Sequence, residues 1–148
     1  MQTAYLAGGC FWCVEAIFQR VNGVKQLENG YCNGATQNPS YEAICSGQTG
    51  HAEVLRVEYD ESVVSYESLL EVFFETHDPT SLNQQGADKG TQYRSAVFYT
   101  NDLQKQVATS VIGKVKGAVT EITELDVFYP AESYHQDYYN NNSNQPYC

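Results

Sequence analysis

The chain has 148 residues, with eight Lys and Arg against eighteen Asp and Glu for a formal net charge of −10. Hydrophobic residues make up 42% and charged residues 18%, which excludes wholesale disorder and points to a single domain over 1–148 with its own core. Such acidity excludes nucleic acid and anionic membrane as natural partners, and no apolar run approaches the roughly 18 residues of a membrane helix.

Residues 3–7 read as a short strand ended by Gly8-Gly9. A helix is expected over about 11–20, with Val14, Ile17, Phe18 and Val21 on its apolar face and Trp12, Glu15 and Gln19 opposite. Gly23 closes it, and 25–31 suit a strand. The Gly, Asn, Thr and Pro of 33–39 are loop chemistry. Leu55, Val57 and Tyr59 alternate with Arg56 and Glu58, the pattern of a half-buried strand. Ser65 then caps an amphipathic helix carrying Tyr66, Leu69, Leu70, Phe73 and Phe74, which stops at His77-Asp78-Pro79.

Residues 82–91 are polar and glycine-punctuated, so a long loop is expected there. The continuous apolar run 96–99 suits a central strand. Asn101 caps a helix with Leu103, Val107, Val111 and Val115, and 125–129 form another strand ended by Pro130. The Asn-rich segment at about 140–148 reads as a mobile tail. This irregular alternation predicts an α+β fold, a two-layer sandwich with a mixed β-sheet and helices mainly on one face.

Cys10, Cys13, Cys32, Cys45 and Cys148 form an odd set in a chain long enough to fold unaided. A secreted disulfide framework favours an even count and a shorter chain, so free thiols in a reducing cytoplasm are expected. The apolar start does not read as a signal peptide, because no Lys or Arg precedes it and Glu15 interrupts it.

The densest signal is Gly8-Gly9-Cys10-Phe11-Trp12-Cys13. Two glycines turn the backbone sharply out of a strand and a helix starts at once. Cys10 therefore meets unpaired N–H groups and the positive end of a helix dipole, which favours a thiolate and predicts a depressed pKa. Trp12 lies off the apolar stripe, where it lines a shallow apolar pocket beside that sulfur or is simply capped by a loop. Other readings of the same residues are an inert buried cysteine, a Cys10-x-x-Cys13 redox pair, and half of a zinc site completed by Cys32, Cys45 or His51. Glu53 taken alone is a surface carboxylate at a strand start.

These residues resemble the A-type peptide methionine sulfoxide reductases over nearly the whole chain. The likeness rests on Gly9-Cys10-Phe11-Trp12, Asn38-Pro39-Ser40-Tyr41, Cys45-Ser46-Gly47 and Thr49-Gly50-His51-Ala52-Glu53. It continues through His77-Asp78-Pro79, Gly90-Thr91-Gln92-Tyr93-Arg94-Ser95, Tyr134-His135-Gln136 and a closing Tyr147-Cys148. The resemblance implies that Cys10 is the nucleophile and that Phe11 and Trp12 hold the substrate methyl. It implies that Glu53 protonates the sulfoxide oxygen, that Tyr41 and Tyr93 donate hydrogen bonds beside it, and that Asp88 is a further polar site residue. Cys148 matches the resolving cysteine, which would form a Cys10–Cys148 disulfide, while Cys45 matches a position without chemistry and is expected in the core.

Two departures matter. Cys13 stands where the family often has glycine, so it is an alternative resolving thiol through Cys10–Cys13, and Cys32 lies in a segment that often lacks a cysteine. The expected partners are methionine sulfoxide, free or in oxidised proteins and of the S epimer, and thioredoxin as reductant. No cofactor and no metal are expected, and the chain is expected to act as a monomer. The alternatives from other classes are a general thiol–disulfide oxidoreductase using Cys10-x-x-Cys13 and a metal-stabilised binding module.

The chemistry suits these residue types. A sulfoxide is a polar S=O beside an apolar methyl, so its site needs a hydrophobic clamp together with proton donors. Thiolate attack builds charge on oxygen, and one well-placed donor to such an oxygen is worth about 3–4 kcal/mol. Glu53 acts as an acid only if burial raises its pKa.

Overall fold

Alternating side chains over 52–59 make strand β3 (Ala52–Tyr59) the spine of a six-stranded sheet. A computed structural model describes residues 1–85 and 88–138; the tail at 140–148, its expected mobility and Cys148 lie outside the described residues. Strands β1 (Gln2–Ala7) and β2 (Val24–Cys32) flank β3, and both run antiparallel to it. The full order is β7-β6-β1-β3-β2-β8, where β6 is Ala96–Tyr99, β7 is Glu121–Glu124 and β8 is Phe128–Pro130. The β6–β7 pair alone is parallel, so the sheet is mixed, as expected.

Leu55 and Val57 point to one face of β3, with Leu6 and Ala4 opposite them on β1. That face carries helices α1 (Phe11–Phe18), α3 (Tyr66–Thr76) and α4 (Asp102–Ile112), which bury Val14, Phe18, Leu69, Leu70, Phe73, Ala108 and Val111 against it. Each large apolar side chain removed from water there contributes roughly 1.5–3 kcal/mol. The other face packs Cys32, Val54 and Phe98 with Tyr5, Leu125 and Phe128. The two-layer α+β architecture with helices mainly on one face is thus the observed one.

Caps set the helix boundaries. Ser65 Oγ accepts from the Ser68 N–H at 3.0 Å, and Asn101 Oδ1 accepts from the Gln104 N–H at 2.9 Å. The five-residue helix α2 (Tyr41–Cys45), which no apolar period announced, starts the same way at Ser40. Residues 82–91 include a minimal hairpin, β4 (Gln84–Gln85) with β5 (Asp88–Lys89).

Three expectations need correction. In α1 the buried residues are Phe11, Val14, Glu15 and Phe18, whereas Ile17 is 40% exposed. Hydrogen-bond donors from β2 and from 137–138 make burial of Glu15 tolerable, so the inward face is rotated. In α4, Leu103 is exposed and Gln104 buried, because the Gln104 amide accepts from the Thr100 N–H and donates to the Thr3 carbonyl. Of the strand expected over 125–129 only Phe128 and Tyr129 are in a strand, β8 on the β2 edge, while β7 beside β6 on the opposite edge lies before that span and was not expected. Edge pairing tolerates Pro130, which has no N–H to give.

Candidate active site at the start of the first helix

Strand β1 leaves the sheet through Gly8-Gly9 and enters α1 within one residue. Gly9 has φ +83°, and a side chain there would drive its Cβ to 2.8 Å from Gln85. This turn leaves Cys10 as the N-cap without a side-chain cap hydrogen bond, and the nearby backbone amides of Trp12 and Cys13 favour its charged form. The expected helix-start environment is present, but the expected ionised thiol is not. Cys10 is 7% exposed, and burial, followed by the charge of Glu53, pushes its thiol well above the ordinary cysteine range. The two amides pull the other way and are outweighed, because desolvation of a sulfur anion costs more than two helix-start donors return.

Glu53 is the second residue of β3, opposite Tyr31 on β2, and faces the start of α1. It is 1% exposed rather than on the surface. The Phe11 N–H donates to Oε1 at 3.3 Å, while Oε2 has no hydrogen-bond partner among the described residues. Burial pushes this carboxyl up to about 8, against the Phe11 amide and with help from the charge of Asp88. At neutral pH Glu53 therefore carries a proton beside the Cys10 sulfur.

Two phenols complete the polar side. Tyr41 opens α2, and Tyr93 closes the 3-10 turn Thr91–Tyr93. Burial, with the Glu53 charge behind it, raises Tyr93; burial and then a hydrogen bond to Cys45 raise Tyr41. Both hydroxyls keep their protons, and that of Tyr41 is given to Cys45 in this state. Asp88 on β5 is half-buried, and its charge acts on Cys10, Glu53 and Tyr93. The structure thus brings Cys10, Glu53, Tyr93 and Asp88 into one electrostatic neighbourhood.

The apolar side is built on Trp12. Its indole N–H donates to His135 Nδ1 at 3.0 Å, and its ring lies on Tyr138 with centroids 3.8 Å apart and planes at 9°. Burial holds His135 below the ordinary imidazole pKa, which keeps Nδ1 an acceptor for the indole. Phe11 is 1% exposed and packs behind Trp12 against Tyr31 and His135. It reaches the site through its backbone N–H to Glu53. Glu132 ties this wall to α2 by accepting from the Tyr31 hydroxyl and the Tyr41 N–H, each at 3.0 Å.

The sulfurs separate into distinct environments. Cys32 is wholly buried in the sheet, whereas Cys45, expected in the core, is exposed at the end of α2 because its helix turns Ile44 inward instead. Cys10 is free and Cys13 is disulfide-bonded, so no bond joins the two in this state. Among the described residues, no group of three or more His, Cys, Asp or Glu is arranged to hold a metal ion, and no helix is long and apolar enough to cross a membrane.

Sequence reasoning did not assign Glu15, Glu132, His135 or Tyr138. The signal for His135 was the Tyr134-His135-Gln136 segment, which carried no role by itself. Glu15 was legible only as a charge four residues after Phe11, on the side that folding turns inward.

Three comparisons bear on this geometry. The family model described as peptide methionine sulfoxide reductase matches residues 2–148. The chain is 62% identical over 149 aligned positions to a "Peptide methionine sulfoxide reductase MsrA" of Ruthia magnifica subsp. Calyptogena magnifica, covering 100% of this chain and 91% of that one. It superposes on Mxr1 of Saccharomyces cerevisiae in reduced form with TM-score 0.95 and 35% identity, covering 99% of this chain and 88% of Mxr1. It is also similar in fold to Mxr1 in complex with Trx2, at TM-score 0.66 and 24% identity, over 93% of this chain and 84% of that one.

Proposed function

Because the chain belongs to the peptide methionine sulfoxide reductase family, we propose that it reduces the S epimer of methionine sulfoxide, free or in oxidised proteins, with Cys10 as the nucleophile. The observation that carries this reading is the Glu53 carboxyl: buried, protonated at neutral pH, and with Oε2 left unpartnered among the described residues beside the Cys10 sulfur. The general thiol–disulfide oxidoreductase using Cys10-x-x-Cys13 is not favoured, since family membership points to sulfoxide chemistry. In this state Cys10 is free while Cys13 is bonded elsewhere.

The Trp12 wall takes the substrate methyl, with Phe11 packed behind it, while Tyr41 and Tyr93 donate to the sulfoxide oxygen. Asp88 gives the site a further polar edge. The raised Cys10 thiol loses its proton as attack proceeds rather than beforehand, that proton replacing the one Glu53 gives to the sulfoxide oxygen, and the nearby Trp12 and Cys13 amides favour the charge that develops on its sulfur. As the new S–S bond forms, Glu53 protonates the oxygen. The hydroxyl then passes from the methionine sulfur to the Cys10 sulfur as the S–O and S–S bonds to methionine break, so methionine leaves and Cys10 is left as a sulfenic acid. A second thiol attacks that sulfur, water departs and a disulfide forms; thioredoxin, a dithiol, then reopens it and is itself oxidised. Cys148 is the resolving thiol in this scheme and Cys13 the alternative.

The working protein on this reading is one catalytic domain over 1–148, a monomer of the reducing cytoplasm that repairs proteins under oxidative stress. Support for the reductant comes from the complex of the relative Mxr1 with Trx2; Cys10, Cys32 and Cys45 are free thiols, whereas Cys13 departs from the expected all-thiol state by being disulfide-bonded.

Feeding each sulfoxide epimer separately with dithiothreitol tests the activity: consumption of the S epimer alone is expected, and equal consumption of both, or of neither, removes the assignment. Mass spectrometry after one turnover maps the new disulfide. A Cys10–Cys148 link is expected; a Cys10–Cys13 link transfers the resolving role to Cys13.

A further inference from the structure

We infer that Glu15 is a positioning residue for the methyl-binding wall: its carboxylate clamps the backbone at Asp137 and Tyr138, and thereby lays the Tyr138 ring against Trp12. The inference deepens the proposed function and rests on the reading of Trp12 as a substrate wall.

Glu15 is a buried charged residue that the reaction does not use. It lies one turn beyond Phe11 on α1 and is 3% exposed. Oε2 accepts from the Asp137 N–H at 3.0 Å, while Oε1 accepts from the Asn29 side-chain amide at 2.9 Å and from the Tyr138 N–H at 3.4 Å. Two of these donors are consecutive backbone amides of a segment more than a hundred positions away. Asn29 and Gln136 fasten the same segment to β2, through Gln136 Oε1 to the Asn29 N–H at 2.7 Å and Gln136 Nε2 to the Asn29 carbonyl at 2.9 Å. Asp137 sits at φ +54°, a left-handed conformation that Asp adopts more readily than most non-glycine residues. Its amide is donated to Glu15, and its carboxylate accepts from Gln19, just past the end of α1, at 2.6 Å.

The consequence lies one residue on. Tyr138 is stacked flat on Trp12, so one face of the indole is set by a residue whose backbone Glu15 holds. The hydrogen bonds that Glu15 accepts among the described residues come from Asn29, Asp137 and Tyr138. It acts through Tyr138, and its loss should weaken substrate binding rather than the chemical step.

Trp12 is the chain's one tryptophan, so its emission reports the stack directly. Glu15→Gln keeps the size of the side chain but turns an NH₂ toward one of the donors. The expected result is a KM for the S epimer raised about tenfold, a single-turnover rate at saturation within about twofold of the parent, and altered Trp12 emission. Tyr138→Leu should give the same KM rise, and the double variant should be no worse than the larger single effect, as required of residues acting through one contact. A normal KM and emission in Glu15→Gln, or additive KM effects in the double variant, overturns the inference. If Glu15→Gln fails to fold by circular dichroism, Glu15→Asp, one methylene short of the strap, must show the same split, and a normal KM there is equally decisive. If the sulfoxide activity itself is wrong, the parent protein consumes no substrate while the emission arm still answers for Glu15.

Discussion

Glu53 and Glu15 are carboxylates buried beneath or within the same helix, 1% and 3% exposed, yet their surroundings differ in kind. Glu15 accepts from Asn29, Asp137 and Tyr138, and these donors offset the burial that would otherwise drive its pKa further up. Glu53 has the Phe11 amide on one oxygen and no partner among the described residues on the other, and its pKa climbs to about 8. Burial alone therefore does not mark an acid catalyst. A buried carboxyl short of donors keeps its proton and can give it away; one supplied with donors holds structure.

The sharpest way to break this contrast is to remove the sulfur that Glu53 is proposed to serve. Cys10→Ser should lower sulfoxide reduction by a factor of about a thousand or more, because a hydroxyl is a poor nucleophile at neutral pH. Appreciable residual turnover would detach Glu53 from this position. Next, Glu53→Gln should slow the single-turnover release of methionine by roughly 10²–10⁴, the usual contribution of a general acid. The parent rate should also fall as pH rises through about 8, where Glu53 loses its proton, and the variant should lack that limb.

The same variant tests the electrostatics apart from activity. The folded-state pKa of Glu53 lies above its unfolded value, so the stabilising contribution is complete below the unfolded pKa near 4.3 and is lost as pH rises to about 8. Urea midpoints for Glu53→Gln should therefore gain on the parent across that window, at up to ~1.4 kcal/mol per pH unit, and then level off. A constant difference across the window would mean that Glu53 is ionised in the fold. The smallest expected effect is on the other carboxylate: Asn29→Ala removes one donor from Glu15 and another from the His135 carbonyl, and should cost about 1–3 kcal/mol in urea denaturation. No measurable loss there would remove the claim that donors are what makes Glu15 structural.

Much of the fold was legible because its signals are local. Ser65 and Asn101 announce helices by capping within three residues, and the alternation at 55–59 announces a strand over one pleat. Errors arose where a partner distant in sequence decided the outcome. Glu15 faces inward because Asn29 and 137–138 meet it, Gln104 because the Thr3 carbonyl does, and the strand read at 125–129 begins only at Phe128, where it meets the edge of β2. In the site, Gly9-Cys10-Phe11-Trp12 and Glu53 were identifiable as a set, whereas His135, Glu132 and Tyr138 gain meaning only from what they touch.

By itself the sequence determined that a cysteine begins a helix straight after a glycine turn, since a few neighbouring residues settle that geometry, and its ordered motifs determined the family. Tertiary structure alone decided which carboxyl keeps a proton, why the Cys10 thiol is raised rather than lowered, and how Trp12 is held. Ionisation depends on desolvation and on donors arriving from other strands, and those are assembled only when the sheet closes over the helix.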